Sequence, residues 1–244
     1  MNKLEALEKI HGKQWYLNTA TELQTKIDNL NDGWTGYLID LSNRKDSIGG
    51  LEVMSLSELL LGGFGCLTRF KVKNQKGTEF TYEYFSWNKG PMSGAKGIVF
   101  LADQFGKIYA FTYLEAEKFA AGGKTCIDLP GGFAEEVDLA TAEKFLANMT
   151  RELKEEMGVT STTIISIENL GQYSPDFGMT NNSPFIFSIV LGSDLVFDGE
   201  NTDKFEVRSK VKIRPINELR DFVTGCADGF FLAVIAKLWA KNLI

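Results

Sequence analysis

The stretch from Leu129 to Val159, LPGGFAEEVDLATAEKFLANMTRELKEEMGV, constrains the fold more than any other part of the chain. Within it Ala142, Phe145, Leu146, Met149, Leu153 and Met157 recur at three- and four-residue steps, which predicts one amphipathic helix with a single buried stripe. Gly158 supplies the stop, because glycine enters the left-handed conformation that ends a helix at little steric cost. Such a stripe needs an apolar surface to cover. Strand-like segments before and after the helix, with helical patterns closing the C-terminus, predict a mixed sheet sandwiched between helices.

On the polar side of this helix Glu152, Glu155 and Glu156 stand at i, i+3 and i+4, so their carboxylates converge on one patch. Like charges at that density repel unless water or a cation gathers them. Oxygen-only ligands suit a hard ion such as Mg²⁺, Mn²⁺ or Ca²⁺; the alternative is a solvated acidic helix face. Gly131 and Gly132 allow a sharp turn that brings backbone close to a metal or phosphate, and a plain Pro-Gly-Gly turn is the competing reading.

The net charge of −6 argues against a nucleic-acid backbone as the main partner, since phosphate tracking needs clustered Lys and Arg. Cys66, Cys126 and Cys226 are widely spaced, with no C-x-x-C pair, so neither a disulfide framework nor a zinc knuckle is expected, and a reducing cytoplasm fits. No apolar run approaches a membrane span, and the start of the chain does not read as a signal peptide. His11 is the one histidine and lies far from the acidic helix in sequence, which disfavours histidine-based catalysis.

Before residue 65 the pattern is mixed. Two helical stretches fall between Leu4 and Leu30, the second capped by Asn18 or Thr19. Trp34 to Leu41 reads as a strand and Ser55 to Leu61 as a short helix. From Cys66 the character turns to β. Leu67–Val72 and Phe80–Trp87 flank a hairpin turn at Asn74–Gly77, and Gly97–Ala102 and Ile108–Tyr113 flank another at Asp103–Gly106. Further strands are expected at Ser161–Leu170, Phe185–Leu191 and Phe205–Ile213, then helices at Ile216–Val223 and Phe230–Leu243. Tyr82, Tyr84, Phe85 and Trp87 could stack on a base or simply serve the sheet.

Arg151-Glu152-Leu153-Lys154-Glu155-Glu156-Met157-Gly158-Val159 resembles the end of the Nudix box, G-x5-E-x7-R-E-U-x-E-E-x-G-U, and Glu143 stands in register with it. Ten residues separate Gly132 from Glu143 where the family has five, so the resemblance includes a five-residue insertion within 133–142. It implies a Nudix-type α/β/α sandwich over residues 65–244, preceded by an α+β N-terminal extension at 1–64.

The resemblance also implies Mg²⁺ or Mn²⁺ held by Glu152, Glu155, Glu156 and the Gly132 carbonyl, with Gly131 and Gly132 beside the substrate. Arg151 and Glu143 would brace the loop against the helix. Pro175, sixteen residues past Val159, is similar to the ADP-ribose and ADP-sugar pyrophosphatase branch, although Asp176-Phe177-Gly178 departs from that branch's usual continuation. In that branch an acidic loop supplies the general base, for which Glu206 and Glu200 are the candidates. Glu135 and Glu136 are either extra ligands or solvated loop acids. The implied activity is cleavage of a nucleoside diphosphate linked to another moiety, ADP-ribose-like or a nucleotide sugar, by a homodimer. A (d)NTP or dinucleotide hydrolase and a non-catalytic nucleotide-sugar sensor are the alternatives.

Overall fold

The computed structural model describes residues 1–91, 94–133, 142–159, 164–176, 178–192 and 209–244; for Phe133 and residues 142–146 it describes the backbone alone. The chain forms two compact units. Met1–Ser93 and Ser174–Ser183 belong to the first; Gly94–Tyr173, apart from residues 136–138, and Pro184–Ile244 make up the second.

The first unit opens with helices α1 (Lys3–His11), α2 (Gln14–Leu17), α3 (Thr21–Asp28) and α4 (Thr35–Asn43). Asn2 and Glu5 cap α1 reciprocally, each side chain taking the other's backbone N–H at 3.0 Å. The expected side-chain cap on α3 is absent. Its N-cap is Ala20, and the Thr19 hydroxyl instead donates to the Trp15 carbonyl at 2.7 Å and accepts the Leu56 amide at 2.9 Å.

Strands β1 (Ser47–Ile48), β2 (Leu51–Leu61), β3 (Gly65–Asn74) and β4 (Glu79–Trp87) follow, pairing antiparallel in that order. Trp15, Tyr37 and Phe70 are the largest fully buried side chains of this unit's core. The returning segment docks on β4, where the Phe85 amide donates to the Met179 carbonyl at 2.9 Å.

Two expectations are reversed here. Trp34–Leu41 is not a strand: a 3₁₀ turn at Asp32–Trp34 runs into α4, whose buried Tyr37, Leu38 and Leu41 follow helical spacing. Ser55–Leu61 is not a helix but the second half of β2. Its register with β3 shifts between Val53 and Ser55 and again between Leu56 and Glu58, so the inward side chains Val53, Leu56 and Leu59 recur every third residue. A bulge adds one residue to the two-residue pleat, and two bulges in succession imitate a helical period.

The second unit is built on a seven-stranded sheet. Strands β5 (Gly94–Ala102), β6 (Ile108–Lys118), β9 (Ile164–Gln172), β10 (Phe185–Leu191) and β11 (Lys210–Pro215) lie in the order β11-β6-β5-β10-β9, while β7 (Lys124–Asp128) pairs with β6 and β8 (Gly131–Phe133) with β5. β5 and β10 are parallel and their other neighbours antiparallel, so the sheet is mixed.

Alternation along β5 divides the core. Val99 and Leu101 face a cluster containing Met149, Leu153 and Met157 of α5 (Ala142–Met157); Ile98 and Phe100 face the opposite cluster with Leu219 of α6 (Leu219–Gly225) and Phe231, Val234 and Ile235 of α7 (Gly229–Ala240). Helices thus cover both faces, giving the expected α/β/α layering.

Sequence placed a boundary between residues 64 and 65. That point separates β2 from β3, which are neighbours in the first sheet, and the compact units divide at Ser93 and Gly94 instead. Residues 205–208 of the strand expected at Phe205–Ile213 lie outside the described residues, and β11 begins at Lys210.

Candidate active site

Helix α5 presents two adjacent lines of side chains. Met149, Leu153 and Met157 are fully buried against the sheet, each contributing about 1.5–3 kcal/mol of apolar burial. Beside them Asn148, Glu152 and Glu156, spaced i, i+4 and i+8, are 7%, 6% and 5% exposed. Gly158, at φ 69°, ends the helix; its amide donates to the Lys154 carbonyl and the Val159 amide to the Leu153 carbonyl.

The buried polar line faces the Gly131–Gly132 segment. The Gly131 amide donates to Glu156 Oε2 at 2.7 Å, and Asn148 Nδ2 donates to the Gly132 carbonyl at 3.2 Å. A Cβ at Gly132 would stand 2.5 Å from Glu152 Oε1, so only glycine lets this carboxylate sit against the backbone. A Cβ at Gly131, where φ is 148°, would stand 2.1 Å from the Ala95 carbonyl. The segment that sequence treated as a turn is therefore a short edge strand, with Gly131 opposite Lys96 of β5.

Arg151 gathers the acids. Its guanidinium pairs with Glu152 and with Glu155 and donates to Asn148 Oδ1 at 2.9 Å. Nearly buried carboxylates are costly unless paired and hydrogen-bonded; here the cation of Arg151 serves Glu152 and the Gly131 N–H serves Glu156. The Glu155 side chain, 40% exposed, is the solvent-facing member.

A second charged group fixes the start of the glycine segment. Asp128 pairs with Lys96 and, at 2.8 Å, with Lys118, and its Oδ1 accepts the Leu129 amide at 2.8 Å. Lys96 Nζ also donates to the Leu129 carbonyl at 3.3 Å. Burial alone would raise the Asp128 pKa, but the two ammonium groups more than offset it and hold the carboxyl below its ordinary value.

The structure thus brings together Gly131, Gly132, Arg151, Glu152, Glu155 and Glu156. Glu143 falls in α5, but its side chain lies outside the described residues, as do Glu135, Glu136, Glu200 and Glu206 altogether. Pro175 is exposed and belongs to the first unit. His11 is hydrogen-bonded to Asp28 at 3.0 Å in the first unit. Sequence reasoning missed Asn148, although it shares the i, i+4 line of Glu152 and Glu156, and it missed Lys96, Lys118 and Asp128, which only strand pairing brings together.

Oxygen donors beside a backbone carbonyl suit a hard divalent cation in kind. The Gly132 carbonyl carries two lone pairs, of which Asn148 uses one. In arrangement, no three His, Cys, Asp or Glu side chains among the described residues are gathered so as to hold a metal ion. Arg151 stands between Glu152 and Glu155 as their counter-cation.

No protein-family model matches the chain, and no curated protein matches it in sequence. Among solved structures it is similar to one described as "Crystal structure of ADP compounds hydrolase", with a TM-score of 0.53 and 12% identity over 81% of this chain and 99% of that one. The fold is of the Nudix type. At such low identity the likeness is one of architecture.

Proposed function

We propose that the second unit is a divalent-cation-dependent hydrolase of phosphoanhydrides, acting on a nucleoside diphosphate linked to a further moiety such as ribose or another sugar. The observation that carries this reading is the pairing of Glu152 and Glu155 with Arg151 on the helix that also sets Glu152 and Glu156 against the Gly131–Gly132 backbone. The fold neighbour's description as an ADP compounds hydrolase agrees with it.

With Arg151 paired to two of them the three acids are not gathered as a metal shell, so Glu152, Glu155, Glu156 and the Gly132 carbonyl would hold Mg²⁺ or Mn²⁺ once the cation replaces Arg151 between Glu152 and Glu155. When bound, the cation neutralises phosphate charge and acidifies water. The Gly131 amide holds Glu156 in place before substrate arrives, Asn148 ties Arg151 to the Gly132 carbonyl, and Arg151 limits the mutual repulsion of Glu152 and Glu155. In the reaction a water oxygen bonds to one phosphorus and the bridging P–O bond breaks. The water proton passes to a base, for which Glu206 and Glu200 remain the candidates. The products are a nucleoside monophosphate and a phosphorylated sugar.

Incubation of the full chain with Mg²⁺ and, separately, ADP-ribose, nucleotide sugars, dinucleoside polyphosphates and dNTPs tests the proposal by product identification. ADP-ribose or a nucleotide sugar is expected to turn over. Glu155→Gln and Glu156→Gln should each lower turnover beyond the roughly 10–100-fold that loss of an outer metal-site partner costs. Failure of all four classes to react overturns the reading.

Arg151 already neutralises two of the acids, which favours a second reading, a nucleotide-sugar sensor of the same fold. A sensor would be stabilised against heat by ligand without forming product. A homodimer, expected from the resemblance, is tested by mass in solution.

A further inference from the structure

Asn148, Arg151, Glu152 and Glu155 stand at i, i+3, i+4 and i+7 along α5. Glu152 follows Asn148 on the buried line of that helix, and Arg151 precedes Glu152 directly in sequence. Successive helix residues do not face each other, so a guanidinium at this position would by default extend away from Glu152. Instead it lies across the buried line. Nη1 donates to Glu155 Oε2, and Nη2 donates both to Glu152 Oε1 and, at 2.9 Å, to Asn148 Oδ1. Both hydrogens of Nη2 are thereby used.

The Asn148 amide bonds in two directions. Its Oδ1 accepts from Arg151, while its Nδ2 donates to the Gly132 carbonyl at 3.2 Å. The reverse placement would set the NH₂ group against the guanidinium and the oxygen against the carbonyl, so only one orientation satisfies both partners. Through Asn148, the backbone of β8 anchors a cationic side chain of α5.

Glu152 Oε1 and Glu155 Oε2 are committed to Arg151, so a divalent ion bridging these two oxygens has to displace the guanidinium. Asn148 bears on that exchange in two opposed ways. By orienting the Gly132 carbonyl it supports a metal ligand, and loss of such an outer partner weakens a metal site about 10–100-fold. By holding Arg151 it opposes the ion. Hydrogen bonds to a charged group are roughly twice as strong as neutral ones, so the 2.9 Å bond to the guanidinium outweighs the 3.2 Å bond between neutral amides.

We propose that Asn148 is a positioning residue that locks Arg151 between Glu152 and Glu155 and thereby lowers the affinity of these acids for divalent cations. The lock rests on the reading of the acids as a metal site and adds the residue that tunes it.

Isothermal titration of the full chain with Mn²⁺, for the wild type, Asn148→Ala, Arg151→Lys and the double variant, tests the lock. Asn148→Ala should bind Mn²⁺ about tenfold more tightly than the wild type; a residue that only supported the fold or the Gly132 carbonyl would give weaker binding. Arg151→Lys keeps the charge but has one nitrogen in place of the planar fork, so it too should bind Mn²⁺ more tightly. Adding Asn148→Ala to Arg151→Lys should change affinity by less than about twofold, because the asparagine acts through the guanidinium. Circular dichroism checks the fold of each variant, and Arg151→Lys carries the test if Asn148→Ala does not fold. Weaker or unchanged Mn²⁺ binding by either single variant, or a further tenfold gain in the double variant, overturns the lock and leaves the metal site standing. Binding by none of the four proteins overturns the metal site and the lock with it.

Discussion

Glu156 directs one oxygen to the Gly131 amide, Glu152 lies against the Cα of Gly132, and these two glycines differ in what a methyl group would meet. At Gly131 the obstacle is the Ala95 backbone and the φ of 148° is itself strained for an L-residue, so Gly131→Ala should lower unfolding free energy by about 2–4 kcal/mol in urea titrations. At Gly132 the obstacle is the end of a side chain that can swing away. Gly132→Ala should therefore lower stability by no more than about 1.5 kcal/mol, while Mg²⁺ affinity and turnover fall because Glu152 is displaced.

Asp128 gives a pH signature. Its folded pKa is depressed, so its ion pairs contribute stability above the unfolded value of about 4 and lose it as pH falls through the folded value. Asp128→Asn should be less stable than the wild type near neutrality, and the gap measured by urea melts should close in acid. The acids and Arg151 were legible in the sequence because one helix carries them all. The Asp128 cluster was not, because Lys96, Lys118 and Asp128 meet only through the pairing of β5 with β8 and β6 with β7.

Among the elements, β2 shows how local pattern and structure part company. Its bulges place Leu59 inside, 1% exposed, and Leu60 outside, 48% exposed. Leu59→Ala should cost about 2–5 kcal/mol in denaturant melts and Leu60→Ala about 0.5 kcal/mol or less. The three-residue spacing that made this segment read as a helix carries no marker of the extra residues; the partner strand supplies it. Helix α5 was readable because its period is uninterrupted and Gly158 ends it. The hairpins β3–β4 and β5–β6 were readable because turn residues and alternation agree, with Gly77 and Gly106 both at positive φ. α4 was misread because Trp34-Thr35-Gly36-Tyr37 mimics strand alternation, whereas its burial follows i, i+1 and i+4.

On the scale of the molecule, the described residues form three apolar clusters, one in the first unit and two on opposite faces of the second unit's sheet, and the first unit includes a segment from far along the chain. No helix among the described residues is long and apolar enough to cross a membrane. The change to β character at Cys66 suggested a boundary there, but a strand's neighbours decide its unit, and β3 and β4 pair with β2. A fragment of residues 1–93 lacks Ser174–Ser183 and with it the Met179 carbonyl that accepts the Phe85 amide. Its Phe85 amide should exchange with deuterium faster than in the full chain, and its urea midpoint should be lower; equal exchange would show that the segment is dispensable.

That late-arriving segment also orders events on the ribosome. Synthesis at about 5–20 residues per second leaves some seconds between emergence of β4 and of the residues that dock on it. During that interval the Phe85 edge of β4 is bare, and a second nascent chain on the same message can offer it a strand. Slow translation before residues 174–183 have left the ribosome should therefore promote misassembly, whereas a pause after they have emerged should not.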